Sequence, residues 1–209
     1  MDRSSVADAL ELKPGGAPSL RDVARAAAGG NTEATAKLLR AIAPKLVAIV
    51  RAVLGATHPD VDDAAQHALI GFVQALPAYR GDCDPLGYGR VIAVRSAIAV
   101  RKRSRSIRAR HDDEADLDAM ATGHASPKAE VASRQRKEIL RELLAELPSE
   151  QAETLALRVV LGCSLEEVAE ETKAPVNTVR SRIRLAKERL KARIESDPSL
   201  LDALGGDEP

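Results

Sequence analysis

Aromatic side chains are almost absent from this sequence. Its 209 residues include one Phe, two Tyr and no Trp, although 44% of them are hydrophobic. A core of this content has to be built from Ala, Leu, Val and Ile, which is typical of packed helices more than of sheets. The sequence therefore predicts an all-α protein, and its length allows one or two domains.

Cysteine is equally scarce, since Cys83 and Cys163 are the only two. Neither has neighbouring ligand residues at a zinc-type spacing, so we expect no metal centre. A signal peptide and a long apolar span are also missing, which favours the reducing cytoplasm and no membrane partner. The chain has no phosphate-binding glycine loop, nucleophile elbow or paired catalytic motif. We expect neither an enzyme nor a bound cofactor.

Net charge is the third absence, because 31 basic residues balance 31 acidic ones. The charges are nevertheless segregated along the chain. Residues 90–110 include eight basic side chains and no acidic one, and residues 173–193 include eight basic side chains against Glu188 alone. A charge run is often only a solvated helix face. Two separated basic segments nevertheless predict two contacts on one polyanion.

A helix-turn-helix pattern occupies residues 164–194. Ser164 is a suitable N-cap with Glu167 completing a capping box, and this first helix extends to Thr172. A short break, Lys173-Ala174-Pro175, precedes a second helix with apolar residues at steps of three and four. These apolar residues are Val176, Val179, Ile183, Ala186, Leu190 and Ile194. Such a stripe holds the second helix against the first and leaves its other face outward.

The outward face of this second helix has the chemistry that major-groove reading requires. Its polar and basic residues are Asn177, Thr178, Arg180, Ser181, Arg184 and Lys187. We interpret the helix as a DNA recognition helix. The alternative is an amphipathic surface helix with a solvated basic face.

The remaining patterns divide the chain into five parts. Residues 1–18 are a weakly ordered leader, 19–108 a helical domain, 109–130 an acidic flexible linker, 131–195 the helix-turn-helix domain, and 196–209 a frayed acidic tail.

Within the first domain, Asn31 or Thr32 is expected to cap a helix that Pro44 kinks or restarts. Asp60 or Asp62 is expected to open the next helix, and Pro77 to close it.

Several of these segments resemble the sigma factors of RNA polymerase, specifically the small extracytoplasmic-function type that keeps only regions 2 and 4. The segment from Leu147 to Ile194, with its Pro-Val-Asn-Thr-Val-Arg-Ser-Arg run, resembles region 4. The runs Asp-Asp-Ala-Ala-Gln at 62–66 and Leu-Pro-Ala-Tyr-Arg-Gly at 76–81 resemble region 2. The resemblance implies two small helical domains joined by a flexible linker, and a protein that directs promoter recognition and transcription initiation.

The resemblance also implies partners and site residues. Asp62, Asp63 and Gln66 would contact the β′ clamp helices of the core polymerase, and the β flap of the polymerase is a further expected contact. The recognition helix would read the upstream (−35) element as duplex. The first domain would hold the downstream (−10) element as an opened strand, through Tyr88, Arg90, Arg95, Arg101, Lys102 and Arg103. An anti-sigma factor is a further expected partner.

Tyr88 departs from the family pattern, because Pro85 and Tyr88 replace the Phe and Trp that are usual at the start of the melting helix. Strand capture normally uses aromatic stacking, so Tyr88 is the candidate platform for an exposed base. The competing interpretation makes Tyr88 a core residue.

Two other classes of function are compatible with the residues. A stand-alone helix-turn-helix regulator would bind duplex DNA by itself, but the sequence shows no dimerisation helix or sensor pocket. A sigma-like decoy for an anti-sigma factor would be marked by loss of the basic segments, and this chain keeps both.

Overall fold

The computed structural model describes residues 18–111 and 128–205. The leader up to residue 17, most of the predicted linker and the last four residues lie outside these ranges, so their assignments stay predictions. Within the described residues every regular element is helical. The predicted all-α class is confirmed.

The first two helices begin at side-chain caps. Helix α1 (Leu20–Ala28) begins at a capping box in which Ser19 and Asp22 bind each other's backbone. Helix α2 (Thr32–Leu54) begins at Asn31, whose side chain accepts from the amide of Ala34 at 2.9 Å. Pro44 lies inside α2 and does not start a new helix. The apolar residues on both sides of Pro44 share one buried face, and that burial outweighs the backbone hydrogen bond that proline removes.

Helix α3 (Val61–Ala75) ends in a short turn of 3₁₀ helix, Leu76–Ala78, so the helix closes at Pro77 as expected. Helix α4 (Pro85–His111) starts on a proline, where no amide is needed, and Asp84 accepts from the amide of Leu86. It extends three residues beyond the predicted boundary at 108.

Close packing of α4 depends on one glycine. A Cβ on Gly89 would come within 3.0 Å of Leu46 and 3.2 Å of Phe72, which are both fully buried. Gly89 therefore lets α4 lie directly against α2 and α3. The only Phe of the chain fills the space between these helices, which offsets the shortage of large side chains.

The C-terminal half contains α5 (Lys128–Glu146), α6 (Ser149–Leu155), a π-helical turn (Ala156–Val160), α7 (Leu165–Thr172), α8 (Val176–Glu195) and α9 (Pro198–Gly205). The prediction of a frayed tail is wrong for residues 198–205. Pro198 takes the first position of α9, where it favours a helix, and Asp197 accepts from the amide of Ser199 at 3.1 Å. Leu200 packs against the core.

The two halves of the described chain share one contiguous set of buried residues. Leu38 and Phe72 of the first half and Leu157, Val168 and Val179 of the second belong to it. Helix α4 lies between the halves and packs against α2 and α3 on one side and against α5, α6 and α7 on the other. We call the contact of α4 with α5, α6 and α7 the seam. The domain boundaries at 108 and 131 stay predictions.

Candidate nucleic-acid interface

The supporting helix α7 has the capping box that the sequence predicts. The amide of Glu167 donates to Ser164 Oγ at 3.0 Å, and the amide of Ser164 donates to Glu167 Oε2 at 2.6 Å. The backbone amide of Ser164, and then its hydroxyl, lower the pKa of Glu167 by hydrogen bonding to the carboxylate. Val168 is fully buried and anchors the helix. Lys173 then adopts a left-handed conformation, with φ 54°, and turns the chain into α8.

Helix α8 buries one side and exposes the other. Val179 and Ala186 are fully buried, Leu190 is 9% exposed, and Ile183 and Ile194 pack against the same core. The opposite side presents the predicted reading residues. Five of them are exposed, namely Asn177, Arg180, Ser181, Arg184 and Lys187, while Thr178 is half-buried. The buried stripe therefore fixes which face of α8 is outward.

Several outward side chains have partners within α8. Arg180 donates to Asn177 Oδ1 at 3.2 Å, and the Ser181 hydroxyl donates to backbone carbonyls of the preceding turn. Arg184 pairs with Glu188 at 2.7 Å, with both side chains more than half exposed. Exposed pairs of this kind contribute little to stability and exchange readily for other partners. The arginines of this face remain available to a ligand.

A groove of about 660 Å³ runs beside α8. Apolar residues Val159, Leu165 and Ile183 and basic residues Arg158, Arg180, Arg184 and Lys187 line it. Arg158 donates to the carbonyl of Cys163 at 2.8 Å, which holds its guanidinium at the groove. Sequence reasoning missed Arg158 because it lies before the helix-turn-helix pattern and no periodicity marks it.

The basic residues of α4 are arranged differently, because several of them face carboxylates of the C-terminal half. Arg95 binds Glu153 through two hydrogen bonds, at 2.6 and 3.1 Å, and this pairing raises the pKa of Arg95. Arg90 pairs with Glu171 at 2.8 Å and also donates to Cys163 Sγ. Lys102 donates to the carbonyl of Leu147 at 2.8 Å. Arg90, Arg95 and Lys102 of the predicted strand-binding set therefore lie at the seam.

The other two predicted cations of α4 have opposite environments. The Arg101 side chain is 3% exposed and binds the carbonyl of Leu54 and the carboxylates of Glu138 and Glu142. Burial lowers the pKa of Arg101. Arg103 is exposed. This conformation therefore does not present Arg101 to a ligand, whereas Arg103 is accessible.

Glu171 is the most perturbed carboxyl of the seam. Its side chain is 9% exposed, and its Oε2 atom has no hydrogen-bond partner. Burial raises the pKa of Glu171 to about 7, although Arg90 acts against the rise. A Cβ on Gly87 of α4 would come within 2.7 Å of Glu171. The carboxyl can pack this closely only because position 87 has no side chain.

Tyr88 lies within a small aromatic cluster. Its ring centroid is 5.4 Å from that of Tyr79 and 6.4 Å from that of Phe72, and its hydroxyl donates to the carbonyl of Ala75 at 3.0 Å. The side chain is half-buried. In this conformation the ring serves packing, as the competing interpretation of Tyr88 expects.

The predicted polymerase contact is an exposed surface at the start of α3. Asp62 is 89% exposed and 3.7 Å from Arg51, while Asp63 lies 3.3 Å from His67. Gln66 is also exposed, one turn further along. The same helix then exposes Ile70 and Val73, which border an apolar groove between α2 and α3 that sequence reasoning missed.

The described residues hold no group of three or more His, Cys, Asp or Glu side chains arranged for a metal ion. In residues 18–111 and 128–205, no helix combines the length and hydropathy that crossing a membrane requires.

Comparison with known proteins finds sequence similarity along most of the chain. Residues 137–190 match the family model of sigma-70, region 4. The chain is 31% identical over 178 residues to the ECF RNA polymerase sigma factor SigD of Mycobacterium tuberculosis, covering 82% of this chain and 80% of SigD. The chain belongs to the extracytoplasmic-function (ECF) sigma factors. An ECF sigma factor binds core RNA polymerase and directs it to promoters, and the protein described here does so.

Two further similarities have lower identity. The ECF RNA polymerase sigma-E factor of Escherichia coli is 29% identical over 146 residues, covering 65% of this chain and 74% of that protein. Among solved structures, CnrH in complex with the cytosolic domain of CnrY is 22% identical, with a TM-score of 0.49 over 85% of this chain and 97% of CnrH.

Proposed function

We propose which surfaces of this sigma factor contact promoter DNA and which contact the polymerase. The outward face of α8 reads the −35 element, the basic side of α4 holds the opened −10 strand, and the acidic start of α3 contacts the β′ clamp helices. The β flap is a further contact on the core polymerase, and an anti-sigma factor is the expected regulator. The exposed, arginine-bearing face of α8, fixed outward by its buried stripe, is the observation that supports the proposal best.

For the duplex contact, Arg180 and Arg184 are the side chains that can bind guanine edges. Both are exposed near the N-terminal half of α8, and arginine binds guanine O6 and N7 through two hydrogen bonds. Lys187 and Arg158 border the groove beside α8, where a single positive charge suits a phosphate. Ser181 already donates to its own helix and can still accept from a base or a backbone group.

For the strand contact, the cations of α4 must exchange partners. Arg90 and Arg95 are paired with carboxylates of the C-terminal half, and a phosphate can replace each carboxylate as an acceptor for arginine. Arg103 can bind a phosphate without such an exchange. Strand binding by Arg90 and Arg95 therefore requires the seam to open. We expect the seam to open as the open promoter complex forms.

For the polymerase contact, Asp62 and Asp63 offer negative charge to the basic clamp helices, and Gln66 adds a donor and an acceptor on the next turn. We expect the double substitution of Asp62 and Asp63 by alanine to weaken core binding about tenfold or more without changing the helical content. The matched control is Glu33→Ala, because Glu33 is an exposed acid in the first turn of α2 and equally favours its helix dipole. Equal core affinity of the double variant and the control would refute the contact.

The overall test is run-off transcription by purified core polymerase on promoter fragments. We expect specific transcripts only when this protein is added, and little binding of duplex promoter DNA by the protein alone. Tight and sequence-specific binding without core polymerase would instead identify a stand-alone regulator.

A further inference from the structure

One large apolar side chain is exposed on the outward side of α8. Leu185 is 38% exposed. Of the residues one turn away from it, Ser181, Glu188 and Arg189 are exposed and polar, while Arg182 is half-buried and pairs with Glu150. Ile183, only two residues earlier, packs against the core. Leu185 therefore does not hold α8 in place, and the packing of the domain gives no reason for a leucine there.

The position of Leu185 relative to the reading residues follows from helix geometry. Residues four apart lie on the same side of an α-helix, one turn above the other. Leu185 is one turn beyond Ser181 and directly follows Arg184 in the chain. A surface that receives the edges of bases at Ser181 and Arg184 therefore brings Leu185 to the same groove.

The chemistry of the major groove restricts what a leucine can recognise there. Nearly all base-edge groups in the groove are hydrogen-bond donors and acceptors, which a leucine side chain cannot satisfy. The exception is the C5-methyl group of thymine, the one apolar group that distinguishes T·A from A·T and from both G·C orientations. A phosphate is equally unsuitable as a partner for an aliphatic side chain.

We propose that Leu185 packs against the C5-methyl group of a thymine in the −35 element and so determines specificity at that base pair. The inference rests on the proposed docking of α8 in the major groove. Leu185 then reads a base directly, beside the polar and basic residues of the recognition pattern.

The test removes the thymine methyl group and the Leu185 side chain, first separately and then together. Holoenzyme with the wild-type chain and with Leu185→Ala is titrated with a −35 duplex in which each thymine, on either strand, is replaced in turn by deoxyuridine. Deoxyuridine lacks only the C5-methyl group, and alanine keeps the helix intact. We expect deoxyuridine at one position to weaken wild-type binding about three- to fivefold, the value for one buried methyl-sized group.

With Leu185→Ala, binding to the thymine duplex should fall by a similar factor, and the same deoxyuridine should cause no further loss. The control is Leu201→Ala on α9, because Leu201 is a similarly exposed leucine that is not part of α8. That variant should respond to deoxyuridine as the wild type does. Equal deoxyuridine effects in the wild type and Leu185→Ala, at every thymine, would overturn the proposal. So would a Leu185→Ala loss that is the same on all duplexes, since such a loss does not depend on any thymine methyl group.

Two arginine variants separate this proposal from the function on which it rests. If Arg180→Ala and Arg184→Ala leave binding to the −35 duplex unchanged, α8 does not dock on the promoter and both proposals fail. If these variants lose binding while Leu185→Ala shows no coupling to any thymine methyl group, the docking stands and only the role of Leu185 is refuted.

Discussion

The outward face of α8 and the basic side of α4 contain similar residues in very different states. On α8, Arg180, Arg184 and Lys187 are exposed, and the partners of the two arginines are exposed residues of the same helix. On α4, Arg90 and Arg95 bind carboxylates from the other half of the chain. Equal runs of basic residues in a sequence therefore do not imply equal access for a polyanion. The location of the acidic residues decides which run of basic residues a polyanion can reach.

The two acids that pair with Arg90 and Arg95 are themselves poorly solvated. The side chains of Glu153 and Glu171 are 8% and 9% exposed, whereas Glu188 on α8 is 56% exposed. A buried carboxylate that loses its cation costs several kcal/mol, while an exposed pair is worth about 1 kcal/mol or less. The arginines of the α8 face are accessible as they stand, whereas Arg90 and Arg95 of α4 are released from their carboxylates only when the two halves separate.

The largest expected effect tests the buried end of α4. Arg101→Ala should lower the free energy of unfolding by about 3 kcal/mol, because it removes a buried side chain that binds two carboxylates and leaves the Leu54 carbonyl without its donor. Urea denaturation of the free protein measures it. Arg103→Ala, two residues along the same helix but exposed, should change stability by less than about 0.5 kcal/mol. A stable Arg101→Ala protein that fails only in promoter opening would restore Arg101 as a strand contact.

The next effect concerns the aromatic cluster at the start of α4. Tyr88→Ala should cost about 2 to 3 kcal/mol of stability, since the ring packs on Tyr79 and Phe72 and is only half-buried. Tyr88→Phe should cost about 1 kcal/mol, the hydroxyl bond to Ala75 alone. Permanganate footprinting on duplex and pre-melted templates distinguishes a packing role of Tyr88 from a stacking role. Rescue of a normally stable Tyr88→Ala protein by the pre-melted template would make the ring a stacking platform.

On α8, base reading and phosphate binding should separate. Arg184→Ala or Arg180→Ala should reduce discrimination between promoter variants by about 1 to 3 kcal/mol. Lys187→Ala should weaken all sequences alike and reduce the salt slope by about one unit. Holoenzyme binding to a promoter series at several salt concentrations measures both. Equal losses on every sequence would make the arginines phosphate contacts.

The last effect is the titration of the seam. The pKa of Glu171 is raised from 4.5 to about 7, so its proton is held more tightly in the folded chain than in the unfolded one. Its contribution to stability is therefore complete below pH 4.5 and is lost as the pH rises to about 7. The expected slope is at most about 1.4 kcal/mol per pH unit.

The measurement is the difference in unfolding free energy between the wild type and Glu171→Gln, which cannot ionise. Since the variant lacks the titration, this difference should fall between pH 5 and pH 7 and be constant above it. A difference that does not vary with pH would show that Arg90 keeps Glu171 ionised throughout.

Local patterns predicted the helices well. The cap at Asn31, the capping box of Ser164 and Glu167, and the buried stripe of α8 all depend on residues within a few positions of one another. The same rules failed where two local signals compete. Pro198 suggests disorder beside the terminal glycines, yet it is a favourable first residue for α9, and the contact of Leu200 with the core decides the outcome.

The seam could not be predicted in the same way. Arg95 and Glu153 are 58 positions apart, and Arg90 and Cys163 are 73 apart. Neither separation leaves a periodic signal, and Gly87 gives no local hint that a carboxyl packs on it. The candidate site was accordingly predictable on α8, where one helix defines both its buried and outward sides. It was not predictable on α4, whose surroundings come from the other half.

The placement of the two cysteines has a practical consequence. Cys83 and Cys163 are 2% and 3% exposed, they come from opposite halves, and Cys163 Sγ accepts from Arg90 at the seam. No other thiol exists in the chain. A thiol reagent added to the native protein should therefore react slowly, and the mass added over time should record how often the halves part. Because core polymerase and promoter DNA can be added during the reaction, the unmodified chain contains its own probe of that motion.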